Sequence, residues 1–287
     1  MHAPRSGLFT AAAAAALLAA PLWALGAEAS VTFGGPGTVP PFTGPVSAQG
    51  SQHIDNATYT VDFSGSASLA SGLMLANVGA TPHSVFLSSP AAASAAQLFD
   101  MLKVVGPGSA LVPLQLRMDV DALMTVDASM GANDGVTLWL SASMNVENAL
   151  FSSMEIMRRK TYFDTGALNE DSIECIGQPC DVNQPLTTAG IVDGQFVLNL
   201  QVQPGVNINF SAYTIVSTYS NPEVFGQVTT SQQLSYVLPA GYTLSSQSGA
   251  FLTAVPEPST TLLALLGCAV LAVRARARAA APRTRCD

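Results

Sequence analysis

Positive charge is nearly missing from the middle of this 287-residue chain. Between residues 30 and 255 the basic side chains are Lys103, Arg117, Arg158, Arg159 and Lys160, against sixteen Asp or Glu, a net charge near −11. Such a segment cannot neutralise a phosphate backbone, so nucleic acid is excluded as a partner. Charged residues of either sign make up only 10% of the chain and hydrophobic ones 48%, which excludes a coiled coil and a highly charged disordered chain. Cysteine is scarce: of four, only Cys175 and Cys180 fall in the body. His53 and His83 are thirty residues apart, in loop-like surroundings without metal-ligand spacing. There is no Gly-x-Ser-x-Gly elbow and no triad setting for either histidine. No P-loop lysine follows Gly35-Pro-Gly37 or Gly106-Pro-Gly108, so no catalytic constellation is apparent. No internal repeat of fixed period points to a solenoid or propeller.

What is present begins with a leader. Arg5 precedes an apolar stretch from Leu8 to Leu25, and Ala27-Glu28-Ala29 is a small-x-small exit, so residues 1–29 are expected to be a secretory signal peptide handled by the Sec machinery and signal peptidase. The mature chain is expected to start near Ser30. Export makes a disulfide between Cys175 and Cys180 the favoured pairing, closing a small loop worth about 2 kcal/mol on the chain-entropy model. A metal or redox site would want a different spacing.

Residues 30–50 are rich in Pro and Gly and are expected to form an extended leader. From Tyr59 a period of two sets in. Its clearest run is Leu114 to Met130, with Leu114, Leu116, Met118, Val120, Ala122 and Met124 on one side and Gln115, Arg117, Asp119 and Asp121 on the other. Gly131–Gly135 offers a turn and Val136 to Val146 resumes the alternation, which predicts a long hairpin. Strands are also expected at 195–203, 206–219, 228–238 and 242–252. Ser89-Pro90 followed by Leu98, Met101, Leu102 and Val105 predicts one short helix over 89–103. Together these give a mainly β fold: an antiparallel, jelly-roll-like β-sandwich over 51–253 with one short helix, an N-terminal signal helix and a C-terminal transmembrane helix.

The polar candidates are few. Asp119, Asp121 and Asp127 share a strand face, where alternate residues stand about 7 Å apart, a spacing suited to calcium or to a carboxylate pair acting on a sugar. The competing explanation is a solvated acidic face that discourages edge aggregation. Arg158-Arg159-Lys160 is the one basic cluster of the body, and Asn56-Ala-Thr58 matches the short pattern of a glycosylation acceptor.

The tail is the most specific part. Pro256-Glu257-Pro258 precedes an apolar run from Ser259 to Val273, about 22 Å long as a helix, and then Arg274, Arg276 and Arg278. The run is short against a hydrocarbon layer of about 30 Å, but flanking arginines can snorkel and hold the C-terminus on the cytoplasmic side. This order of parts resembles the PEP-CTERM sorting signal of exported bacterial proteins, over about 25 of 287 residues. Here the arginines alternate with alanine where the family often has a contiguous block. The resemblance implies that exosortase recognises Pro256, Glu257 and Pro258 and cuts near them, that Ser259–Val273 is a transient inner-membrane anchor, and that Arg274, Arg276 and Arg278 are the stop signal. It covers a sorting segment at 254–280 and leaves a tail at 281–287. It also implies a cell-surface or matrix destination associated with exopolysaccharide or biofilm.

The expectation is therefore an exported, non-enzymatic surface or matrix protein with no cofactor. The alternatives are a calcium- or glycan-binding module using the aspartate face and, third, a polysaccharide-modifying enzyme.

Overall fold

A computed structural model describes residues 27–35, 37–83, 92–126, 135–147, 152–164, 167–176, 181–182, 190–220 and 225–252; for 152–193 it defines the backbone path alone. The described residues form strands β1 (Glu28–Gly34), β2 (Phe42–Gly44), β3 (Ser47–Asp55), β4 (Tyr59–Ser68), β5 (Leu73–Pro82), β6 (Ala92–Val105), β7 (Val112–Val126) and β8 (Gly135–Glu147). They continue with β9 (Ser152–Asp164), β10 (Ala167–Ile176), β11 (Asp181–Val182), β12 (Gly190–Val202), β13 (Asn207–Ser220), β14 (Gly226–Val237) and β15 (Thr243–Ser246). Two antiparallel sheets result. Sheet I runs β10-β9-β8-β13-β6-β1-β2 with β15 also on β6, and sheet II runs β11-β12-β7-β14-β5-β4-β3. The architecture is all-β and consistent with a sandwich.

The period of two explains the core. On β7, Leu114, Leu116, Met118, Val120 and Met124 are buried, and on β8 Val136, Leu138, Leu140, Ala142, Met144 and Val146 are buried. Those two inner faces belong to different sheets, however. β7 pairs with β12 and β14, β8 with β13 and β9, so the expected hairpin is not formed. Alternation reveals which face of a strand is buried, but it carries no information about which neighbour supplies the hydrogen bonds.

The expected helix over 89–103 is also overturned: Ala92–Val105 is β6, between β13 and β1. Ala92 to Ser94 are all buried, and from Ser94 on the alternation is strict, with Ala96, Leu98, Asp100, Leu102 and Val104 inside. The set that suggested a helix mixes faces, since Leu98 and Leu102 point inward and Met101 and Val105 outward. Alanine's helix preference, worth a few tenths of a kcal/mol per residue, yields to two full ladders of backbone bonds and a buried face.

Nor is 30–50 an extended leader. β1 lies along β6, with Val31 opposite Ala96 and Phe33 opposite Ser94. Phe33 stacks on Phe63 at 5.3 Å between ring centroids and meets Phe42 edge-on at 5.8 Å. The Gly and Pro residues there punctuate short strands instead of dissolving them. β1 starts at Glu28, two residues before the expected mature N-terminus, and Ala29 is fully buried opposite Leu98. The signal and transmembrane helices lie outside the described residues, among which no helix is long and apolar enough to cross a membrane.

The C-terminal end of the sandwich is fastened by one buried carboxylate. Asp100, with no exposed surface, accepts hydrogen bonds at Oδ1 from Met101 N–H (2.8 Å) and Ser248 N–H (3.2 Å), and at Oδ2 from the Ser248 hydroxyl (2.5 Å). Phe251 packs edge-on against Phe210 at 5.0 Å, and Leu252 N–H donates to Leu69 O at 2.9 Å. Gly72, at φ +69°, gives way to Leu252: a Cβ there would collide with its Cδ2.

Candidate functional site

Of the aspartates singled out for a cation or a sugar, Asp119 and Asp121 occupy exposed, outward positions of β7 in sheet II, and Asp127 lies outside the described residues. Cross-strand register sets Asp119 opposite Gln195 of β12 and Gln233 of β14, and Asp121 opposite Asp193 and Ser231. Gln195 Nε2 donates to Asp119 Oδ1 at 2.5 Å, so that carboxylate already has an amide partner. No three His, Cys, Asp or Glu among the described residues come together as a metal cluster. The neighbouring positions of this face are amides and hydroxyls. Gln115 donates to Asn199 at 2.8 Å, and Asn77 Oδ1 accepts from Gln227 at 2.9 Å and Thr229 at 2.7 Å.

The two histidines, which sequence leaves in loop-like surroundings, stand on the same face of sheet II near its β3 edge. The β3–β4 hairpin puts His53 opposite Asp62 and Asp55 opposite Thr60. His53 Nδ1 is 2.6 Å from Asp62 Oδ1. Thr60 donates its hydroxyl to Asp55 Oδ1 at 2.8 Å and therefore accepts from His83 Nε2 at 2.7 Å, while His83 Nε2 is 3.5 Å from Asp55 Oδ1. The hydrogen bond and then the charge of Asp62 hold the His53 imidazole above its ordinary value of 6.5. The Thr60 hydroxyl, followed by the hydrogen bond and charge of His83, holds the Asp55 carboxyl below its ordinary 3.8. The group is a chain of exposed, solvent-screened pairs. The signal that sequence offered was His53-x-Asp55 and Thr60-x-Asp62 on either side of a tight turn.

That turn explains the glycosylation-like motif. Asn56 Oδ1 accepts from Thr58 N–H (2.8 Å), the Thr58 hydroxyl (2.7 Å) and Tyr59 N–H (3.0 Å), closing the hairpin as an Asx turn.

Sheet I presents a different outer face. Trp139, Tyr213 and Tyr219, half-buried, occupy outward positions on the paired strands β8 and β13, with Phe99 and Gln97 on β6 alongside. Trp139 stands opposite Ser217, Tyr219 opposite Thr137, and Tyr213 between Ser143 and Gln97. Among them the Ser143 hydroxyl, fully buried, has no hydrogen-bond partner among the described residues. The register also places Arg158 beside Ser141 and Lys160 beside Trp139. Flat aromatic rings flanked by hydroxyls and amides suit the apolar face and hydroxyl rim of a sugar.

Cys175 lies on β10 and Cys180 outside the described residues. Pro256, Glu257, Pro258, Arg274, Arg276 and Arg278 lie outside them as well.

No protein-family model, curated protein or solved structure matches this chain.

Proposed function

We propose that this chain is an exported, non-enzymatic surface or matrix protein, sorted by its C-terminal tail after transient anchoring in the inner membrane. Exosortase is the proposed processing partner, through Pro256, Glu257 and Pro258, with Ser259–Val273 as anchor and Arg274, Arg276 and Arg278 as stop signal. The supporting observation is where the last described strands and their contacts lie. Leu252, hydrogen-bonded to Leu69, stands four residues ahead of Pro256, so a cut near Pro258 leaves every described strand intact. The body we infer to be jelly-roll-like, because the chain passes between sheets from β5 to β6, β7 and β8, and again from β12 to β13, β14 and β15. Cell fractionation tests the reading: the body is expected in envelope and medium, and its confinement to the cytoplasm overturns it.

A second reading, binding of exopolysaccharide, is favoured by the aromatic face of sheet I more than by the aspartates of sheet II. Trp139, Tyr213 and Tyr219 offer stacking area at little conformational cost, which Asp119 and Asp121 do not. Isothermal titration with the host's purified polysaccharide is expected to give heat that Trp139→Ala abolishes. Silence from the unmodified protein removes this reading, and heat lost on Asp119→Ala but kept in Trp139→Ala returns it to the aspartate face.

A further inference from the structure

The β6–β7 connection (106–111) and the β14–β15 connection (238–242) cross one end of the sandwich side by side, because β6 pairs with β15 and β7 with β14. Tyr242 lies over Gly106, where any Cβ would strike its ring, and donates its hydroxyl to Pro107 O at 2.8 Å. Around this tie stand three of the six large apolar side chains that the described residues expose: Val105 (47%), Leu111 (61%) and Val237 (48%). Residues 104–114, 202–206 and 237–243 contain no charged side chain, although the body around them is strongly acidic. An acidic surface is repelled by anionic lipid, whereas an uncharged apolar end meets it without that opposition.

The chain's entry and exit lie together on the same side. Glu28 pairs with Phe99, and Gln247 N–H donates to Met101 O, two residues along β6. From Leu252, seven residue steps reach Ser259, a span of at most about 25 Å. Leu252 packs against Gly72, whose carbonyl accepts from Leu234 N–H, and Val237 is three residues beyond Leu234 on β14, about 10 Å, well inside that reach.

We propose that the end bearing Val105, Leu111, Val237 and Tyr242 is a membrane-contact surface, seated in the headgroup–acyl boundary of the bilayer while the tail is inserted. This rests on Ser259–Val273 being a membrane anchor. The short tether keeps the body at the bilayer, and among the described surfaces this end combines exposed aliphatic side chains, a tyrosine with an anchored hydroxyl and no charge. Interfacial seating of this kind is about 5–10 Å deep and uses apolar side chains with amphipathic aromatics.

The test uses the full chain in phosphatidylethanolamine–phosphatidylglycerol vesicles, carrying either Leu111→Trp or Leu123→Trp. Leu123 is also exposed, at 45%, but lies twelve residues away on the outer face of sheet II. Lipids brominated near the headgroup are expected to quench the new tryptophan at 111 roughly threefold more than at 123, after subtraction of the unmodified chain, as interfacial depth requires. Trypsin protection of Arg274–Arg278 reports the anchor separately. Equal quenching with a protected tail overturns the contact surface and leaves the anchor standing, whereas a tail cut from outside overturns the anchor itself. A lipid-independent dimer that shields Trp at 111 gives this face to a second copy and overturns the proposal.

Discussion

Removing the carboxylate at Asp100 should loosen the C-terminal end of the sandwich before anything else. Its oxygens accept three hydrogen bonds, two from Ser248 and one from the Met101 amide, inside a fully buried site. Hydrogen bonds to an ionised group contribute about 1.5–3 kcal/mol each, offset by the cost of burying the charge; stranding the donors costs about 1–3 kcal/mol apiece. Asp100→Ala should therefore cost about 3–5 kcal/mol in all. For a domain of this size each kcal/mol is worth about 2–4 °C, so the melting temperature should fall by roughly 6–20 °C. Ser248→Ala, which keeps the backbone donor, should cost about half as much. Thermal denaturation gives the totals, and hydrogen exchange should show amides of 243–252 losing protection ahead of β7 and β14. A melting temperature within 2 °C of the parent for Asp100→Ala would refute the reasoning, because the carboxylate would then not be fastening this segment.

Two further outcomes follow from the geometry. The His53 imidazole should titrate above 6.5 by NMR, and Asp62→Asn should return it toward that value. A raised folded-state value means that this pair's contribution is fully present below pH 6.5 and is lost as pH rises through the folded value. Asp55, held below 3.8, contributes above that pH and loses its contribution as pH falls through its folded value. An unshifted His53 in the parent protein would contradict the pairing. Gln232, fully buried on β14 between Met74 and Val120, finds no partner for its Oε1 or Nε2 among the described residues. Gln232→Met, close in length and without the amide, should raise stability by about 1–3 kcal/mol, read by urea denaturation; a loss would show that the amide is satisfied in solution.

The parts of the fold that sequence makes plain are those where burial alone sets the pattern. Val112–Val126 and Gly226–Val237 alternate because one face meets the core and the other is more exposed, whereas on Asn207–Ser220 the alternation stops at Thr214–Thr218, all five of which are buried. Partnering is harder, since Met124 and Val136 look like two arms of a hairpin until the sheets are seen to be separate. β6 misleads for a different reason: small residues suit the crowded contact between β13 and β1, and alanine's helical preference is too weak to resist it. His53-x-Asp55 and Thr60-x-Asp62 flank a turn that Asn56 closes, but only the register across it decides that His53 meets Asp62. The aromatic face of sheet I is dispersed in sequence, and β8 and β13 assemble it only by pairing Trp139 with Ser217 and Ser143 with Tyr213.

The proposed sorting route is tested most directly by intact-mass spectrometry of the protein recovered from envelope and medium, reading both termini. The account predicts a C-terminus near Pro258. It also predicts an N-terminus that keeps β1 whole: Glu28 and Ala29 pair with Phe99 and Leu98, and Ala24-Leu25-Gly26 supplies a small-x-small exit just ahead of them. A chain running from Met1 to Asp287 and found in the cytoplasm would contradict it.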